Sequence, residues 1–169
     1  MTDDGYGFEV DQDLLVELGR LLYSASYLEE VLVSIFVTLT NAGPVGDAVS
    51  AFQPFSWLID RTRWLADLQL PEHRRDEVNQ WLDRAKKAQE ARNKIVHASW
   101  YVDLTEVLHT DQGLLRHGLR RFRRQRTTLG YDESLVEAGD VRAIAIECER
   151  AGLAGLGLHR YIAFALERD

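Results

Sequence analysis

The residues best equipped for chemistry lie together in the middle of the chain, in the run Arg92-Asn93-Lys94-Ile95-Val96-His97. An imidazole takes up and gives back a proton near neutral pH. A guanidinium holds a phosphate and stabilises charge that builds on it. Together they can cleave RNA without a metal. The base activates the ribose 2′-hydroxyl and the cation stabilises the phosphorane; DNA lacks that nucleophile. On a helix, Asn93 and His97 are four apart and share a face with Glu90, while Arg92 is offset by about a quarter turn. The spacing alone leaves a structural alternative open, in which Arg92 pairs with an acid and His97 caps carbonyls at a helix end.

Other chemistries find little support. No glycine-rich loop follows a strand in the manner of a phosphate cradle, and no nucleophile elbow is present. The histidines (His73, His97, His109, His117, His159) are nowhere spaced as metal ligands with each other or with acids, so neither metal nor cofactor is expected. The lone cysteine, Cys148, excludes an internal disulfide and falls in an apolar seam, which assigns it to the core.

Charge is unevenly distributed. The net charge is −7, which disfavours a generic nucleic-acid coat. Yet Arg116, Arg120, Arg121, Arg123, Arg124 and Arg126 follow one another with no acid among them. Setting those six aside leaves 14 basic against 27 acidic residues, or −13 for the rest of the chain. Such a run is a candidate RNA phosphate-binding patch, or else a set of arginines that pair with acids elsewhere or face water.

Helices must position these groups. Leu14, Leu18, Leu21, Ala25, Leu28, Leu32, Ile35 and Leu39 repeat at four-three spacing, with acids Asp11 and Asp13 at the start and Asn41-Ala42-Gly43-Pro44 as the stop. A second row, Leu15, Leu22, Glu29, Phe36, is broken by Glu29, whose carboxylate should pair with Arg92 or Arg61. A short helix over 45–52 precedes a second main helix from about Pro54 to Leu70. Pro71 opens a third, over about 72–98, with the seam Val78, Trp81, Ala85, Ala88, Arg92, Ile95, Ser99. Arg92 stands where that seam calls for an apolar side chain. From Trp100 to Tyr131 the helical period gives way to alternation and a turn signal at 110–113, as in a β-hairpin that carries the arginine run, with a short helix over that run as the alternative. Gly139-Asp140 then reads as the N-cap of a last helix, whose seam runs Val141, Ile144, Cys148, Ala151, Gly155, Leu158, Ile162, Ala165. Gly152 and Gly155 point to close helix contact. The fold expected is all-α: one domain over 1–169, an antiparallel bundle of four main helices, with a small hairpin-like insertion over about 100–131 before the last helix.

The stretch Glu90-Ala91-Arg92-Asn93-Lys94-Ile95-Val96-His97-Ala98 resembles the signature of the HEPN superfamily, an arginine, usually followed by a polar residue, with a histidine four to six residues later. The helix order is similar over most of the chain, and about ten residues match in detail. The resemblance implies a helical homodimer with facing motif helices that join two Arg-His pairs in one cleft. It implies metal-independent ribonuclease activity, often in toxin–antitoxin or defence systems, with Arg92 and His97 catalytic and Asn93 supporting. Some members are non-enzymatic binding modules. Members silenced by antitoxin modification carry a tyrosine two residues after the histidine; Ser99 stands there, so that mode of control is not implied. The alternatives are a HEPN-like binding or regulatory protein and a plain helical interaction module. Single-stranded RNA, an antitoxin or another protein are the candidate partners. The acidic start and the charges interrupting the first helix point to a cytoplasmic protein without a membrane span.

Overall fold

The computed structural model describes residues 11–103, 116–124 and 129–166. Five helices, α1 (Gln12–Thr40), α2 (Pro44–Ser50), α3 (Phe55–Gln69), α4 (Glu72–Val96) and α5 (Ala138–Leu166), account for most of them. Outside residues 99–135 the regular structure is entirely helical.

Each helix boundary has a local cause. The Asp11 carboxylate caps α1 by accepting from the backbone N–H groups of Asp13 and Leu14. Asn41 ends it in the left-handed conformation, and Gly43, at φ +47°, makes the turn that Pro44 follows as the first residue of α2. At the start of α5, the Asp140 carboxylate reaches back to accept from the Glu137 N–H at 3.0 Å. Asp140 is therefore an acid inside the first turn, not the N-cap.

Core burial follows the α1 seam closely: Leu14, Leu21, Ala25, Leu28, Leu32, Ile35 and Leu39 are all buried. By length and composition α1 could also cross a membrane, contrary to the reading from its interrupting charges. A core helix passes the same test, and eleven α1 residues are buried in this bundle.

The bundle is not antiparallel throughout. Glu17 meets Arg142, Arg20 meets Glu149, Gly152 lies against Tyr27, and Thr38 meets His159, so α1 and α5 run parallel. Arg74 stacks on Tyr161, Trp81 meets Ala151, and Arg84 meets Glu147, so α4 runs antiparallel to both. The cause is the excursion through α2 and α3. It brings Gln69 back to a cavity that it shares with Val37, Thr38 and Asn41 of α1 and Ala163 and Leu166 of α5. The chain therefore enters α4 from the end at which α1 finished. Between α1 and α4, α3 packs edge-on through Trp57 against Phe36, ring centroids 5.6 Å apart, and holds Asn79 and Asp83 with Arg63.

Residues 99–135 hold a three-stranded antiparallel sheet in the order β1-β2-β3, in place of the two-stranded hairpin expected. The strands are β1 (Ser99–Asp103), β2 (Arg116–Arg124) and β3 (Leu129–Leu135). The turn signal at 110–113 lies outside the described residues.

Glu29 does not take the role its row suggested. It is exposed and has no ion pair among the described residues. The reason is visible along the row: Phe36 is buried, but Leu22 is 43% and Leu15 50% exposed, so Glu29 stands where the row leaves the core. The buried carboxylate of α1 is Glu17, whose Oε1 accepts from Arg142 Nε at 2.7 Å.

The helices approach most closely at two glycines of α5. A Cβ on Gly155 would lie 2.5–2.7 Å from the Trp81 indole, and one on Gly152 would lie 2.7 Å from the Tyr27 ring. Gly155→Ala gains about 1 kcal/mol of helix propensity, yet it must displace a fixed indole, and overpacking of this kind costs about 1–3 kcal/mol. Gly157→Ala, with open space above it, has only the gain. In thermal denaturation Gly155→Ala should melt below wild type and Gly157→Ala at or above it.

Candidate functional site

The candidate site forms where α4 ends. The last turn closes with His97 as C-cap, its backbone N–H bonded to the Asn93 carbonyl at 3.2 Å. A C-cap leaves helical geometry, so the imidazole can swing back toward residues one turn earlier. Arg92 Nη1 donates to Asn93 Oδ1 at 2.9 Å and lies 3.5 Å from His97 Nε2. All three residues singled out by spacing are thus in mutual contact within one chain. A guanidinium can only donate, so a hydrogen bond across the longer contact requires the Nε2 lone pair and hence the ring proton on Nδ1. That is the tautomer in which Nε2 can accept a proton.

Arg92 springs from the core side of α4, which explains its place in the seam. Its Nε is buried with no hydrogen-bond partner, while the head of the side chain reaches the edge where Asn93 and His97 are exposed. No carboxylate pairs with it among the described residues. One turn earlier Gln89 is buried too, with its Oε1 also unpartnered. Sequence reasoning passed over Gln89. Its signal was position, because Gln89 lies between Ala85 and Arg92 on the inward face.

Behind the site lies α5. Cys148 is fully buried, and its thiol points at the Ala88 carbonyl, 3.8 Å away. Burial pushes the thiol pKa up to about 11, against the opposing pull of the Arg92 charge and with a smaller push from Glu147. On the α5 side of α4 a groove of about 320 Å³ has Ala88, Ala91, Ala143 and Ile144 along it, with the Arg84–Glu147 pair at 3.4 Å.

The arginine run lies on the central strand of the sheet. Backbone register sets Arg116 opposite Asp103, Arg120 opposite Glu133 and Arg121 opposite Asp132. Arg123 and Arg124 stand opposite Gly130 and Leu129. Opposed charges at directly facing positions stabilise a strand pair. Three of these arginines therefore sit in register with acids, and two do not. Arg126 lies outside the described residues.

No group of three or more His, Cys, Asp or Glu among the described residues is arranged to hold a metal. No protein-family model, curated protein or solved structure matches the chain.

The environment of Cys148 has a direct consequence. With a pKa of about 11, only about a thousandth of the thiol is ionised at pH 8, and the ring of core side chains blocks access. Maleimide should leave the native protein unlabelled over hours at pH 8 and modify it fully in guanidinium chloride. Fast labelling of the native protein would show that α4 and α5 part readily around Arg92.

Proposed function

We propose that the chain is a HEPN-like, metal-independent endoribonuclease centred on Arg92 and His97. The observation that carries this reading is a guanidinium with no carboxylate partner among the described residues, held by Asn93 within reach of a histidine nitrogen. In this reading the 3.5 Å contact between Arg92 and His97 opens when RNA binds, and the freed Nε2 lone pair takes the proton of the ribose 2′-hydroxyl as that oxygen attacks the adjacent phosphorus. Arg92 faces the charge that develops on the phosphoryl oxygens, and Asn93 positions the guanidinium. The bond to the 5′-oxygen breaks, leaving a 2′,3′-cyclic phosphate and a 5′-hydroxyl.

The reading extends to a cytoplasmic homodimer in which two such pairs share one cleft. The sheet between α4 and α5 is then an insertion on a HEPN-like four-helix core, offering Arg123 and Arg124 to the RNA backbone. An antitoxin or other protein partner belongs to the same proposal.

The test is cleavage of single-stranded RNA in EDTA, with the ends of the products identified. His97→Ala should slow it about a hundredfold or more, as loss of a general base does. Arg92→Ala should reduce turnover more than RNA affinity. Because the Arg92 stem is packed, its folding must match wild type before its kinetics are read. A requirement for divalent metal, or cleavage that survives His97→Ala, would falsify the mechanism. Inactivity with RNA binding retained would favour the non-enzymatic binding module.

A second measurement addresses the sheet. If Arg123 and Arg124 contact phosphates, replacing both by serine should weaken RNA binding and lower the salt slope by about 0.7 per lost contact. Replacing Arg116 and Arg121, which face acids in register, should change the slope less. Equal effects from both pairs would mean that register does not decide which arginines meet RNA.

A further inference from the structure

Between α1 and α5 lies a cavity of about 370 Å³, lined by Arg20, Tyr23, Ser24 and Tyr27 of α1 and by Glu149 and Leu153 of α5. Helical spacing brings these residues together. Arg20, Ser24 and Tyr27 follow at four-three intervals, Tyr23 stands four before Tyr27, and Leu153 stands four after Glu149. The cavity begins about three turns into α5, whereas His97 closes α4 at the end of the bundle where α5 starts. It is therefore a different place from the Arg92–His97 site.

Three of its groups have no use within the bundle. Ser24 is only 4% exposed, yet its hydroxyl has no hydrogen-bond partner among the described residues. Ser34 and Ser50, by contrast, donate back to carbonyls of their own helices. The ion pair across the cavity is single: Arg20 Nη2 donates to Glu149 Oε2 at 2.9 Å, which leaves Glu149 Oε1 and the other Arg20 N–H groups without a partner among the described residues. Both side chains are nearly half exposed, so their pairing adds little to stability. The Tyr23 ring is 77% exposed, while the Tyr27 ring is fixed against Gly152.

We propose that this cavity binds a guanine base. Tyr23, Tyr27 and Leu153 supply aromatic and apolar surface on which a planar ring can stack. The ion pair supplies the edge. In order, it presents a donor from Arg20 and then two acceptors, the oxygens of Glu149; Oε2 has a second lone pair to give while it keeps Arg20. The Watson–Crick edge of guanine is the complement: the O6 acceptor, then the N1–H and N2–H donors. Adenine, cytosine and uracil each fill at most two of those three positions. The Ser24 hydroxyl at the cavity wall is left to meet a ring nitrogen. The same base arrives either as a free nucleotide or as one residue of a single-stranded RNA.

Equilibrium dialysis of the full chain against GMP, IMP, AMP and UMP tests this, because the four share ribose and phosphate and differ only in the base. GMP should bind at least about tenfold more tightly than IMP, which lacks the N2 amine, and than AMP or UMP. Glu149→Gln should remove that preference, since an amide puts a donor where the base also donates. Tyr23→Ala should weaken all four about equally. Neither residue is in the core, so both variants should fold as wild type does. Two oligoribonucleotides, one of uridine throughout and one with a single central guanosine, identify the source in a His97→Ala background, where cleavage does not intervene. Tighter binding of the second, lost with Glu149→Gln, assigns a base within RNA; equal binding of the two assigns the free nucleotide. No GMP binding at millimolar concentration, GMP no tighter than AMP, or GMP affinity unchanged in either variant overturns the inference. Dialysis reads binding without turnover, so a chain that cuts no RNA leaves this inference standing, and its failure leaves the ribonuclease reading untouched.

Discussion

The seating of Trp81 on α5 fixes nearly everything else. Its indole lies over Gly155, where any Cβ would collide with it, and its Nε1–H donates to the Ala151 carbonyl at 2.8 Å. The buried ring brings hydrophobic area and the hydrogen bond brings direction, so α4 can neither slide along α5 nor rotate upon it. From that anchor, successive turns of α4 bring Ala88 over the Cys148 thiol and Arg92 next to it. The position of the guanidinium is therefore set three turns away, by a glycine that leaves room for a tryptophan.

Among the described residues Glu17 is the one charged side chain that is fully buried, and it is paired. One oxygen is bonded to Arg142 and the other is buried without a partner. Arg142 is more than half exposed, so the pair sits at the core's edge, where a cation loses little hydration. Arg92 differs. Its stem is inside, its Nε lacks a partner, and its head binds an amide and an imidazole instead of a carboxylate. Arg75, also half-buried, likewise leaves its Nε enclosed without a partner, so what sets Arg92 apart is its contact with Asn93 and His97.

The helices were legible in the sequence because burial demands a period, and α1, α4 and α5 keep theirs for 25 residues or more. The contact of Arg92 with Asn93 and His97 was legible for the same reason, since helical geometry fixes neighbours within one turn. Topology was not. Nothing in the local period distinguishes a parallel from an antiparallel α1–α5 pair; the outcome depends on where α2 and α3 return the chain. Glu29 and Glu17 show the same limit at the scale of one residue. Both interrupt apolar rows, and only the reach of α3 and α5 decides which carboxylate is covered. Strand pairing likewise joins residues distant in sequence, so the opposition of Arg120 to Glu133 could not be read from composition.

The nitrogen accounting at Arg92 leads one step further. On the proposed ribonuclease reading, Nη1 is tied to Asn93 and Nε is enclosed, so Nη2 is the nitrogen most open to a phosphate. A grip through one nitrogen is weaker and less directional than the paired bonds from two nitrogens by which guanidinium usually holds phosphate. For a catalyst this weakness is useful. Tight ground-state binding would lower turnover, whereas a fixed donor whose bond strengthens as charge develops acts mainly in the transition state. On that same proposal Asn93 holds the guanidinium still, because only a donor already in place spares the reaction the cost of reorganising it.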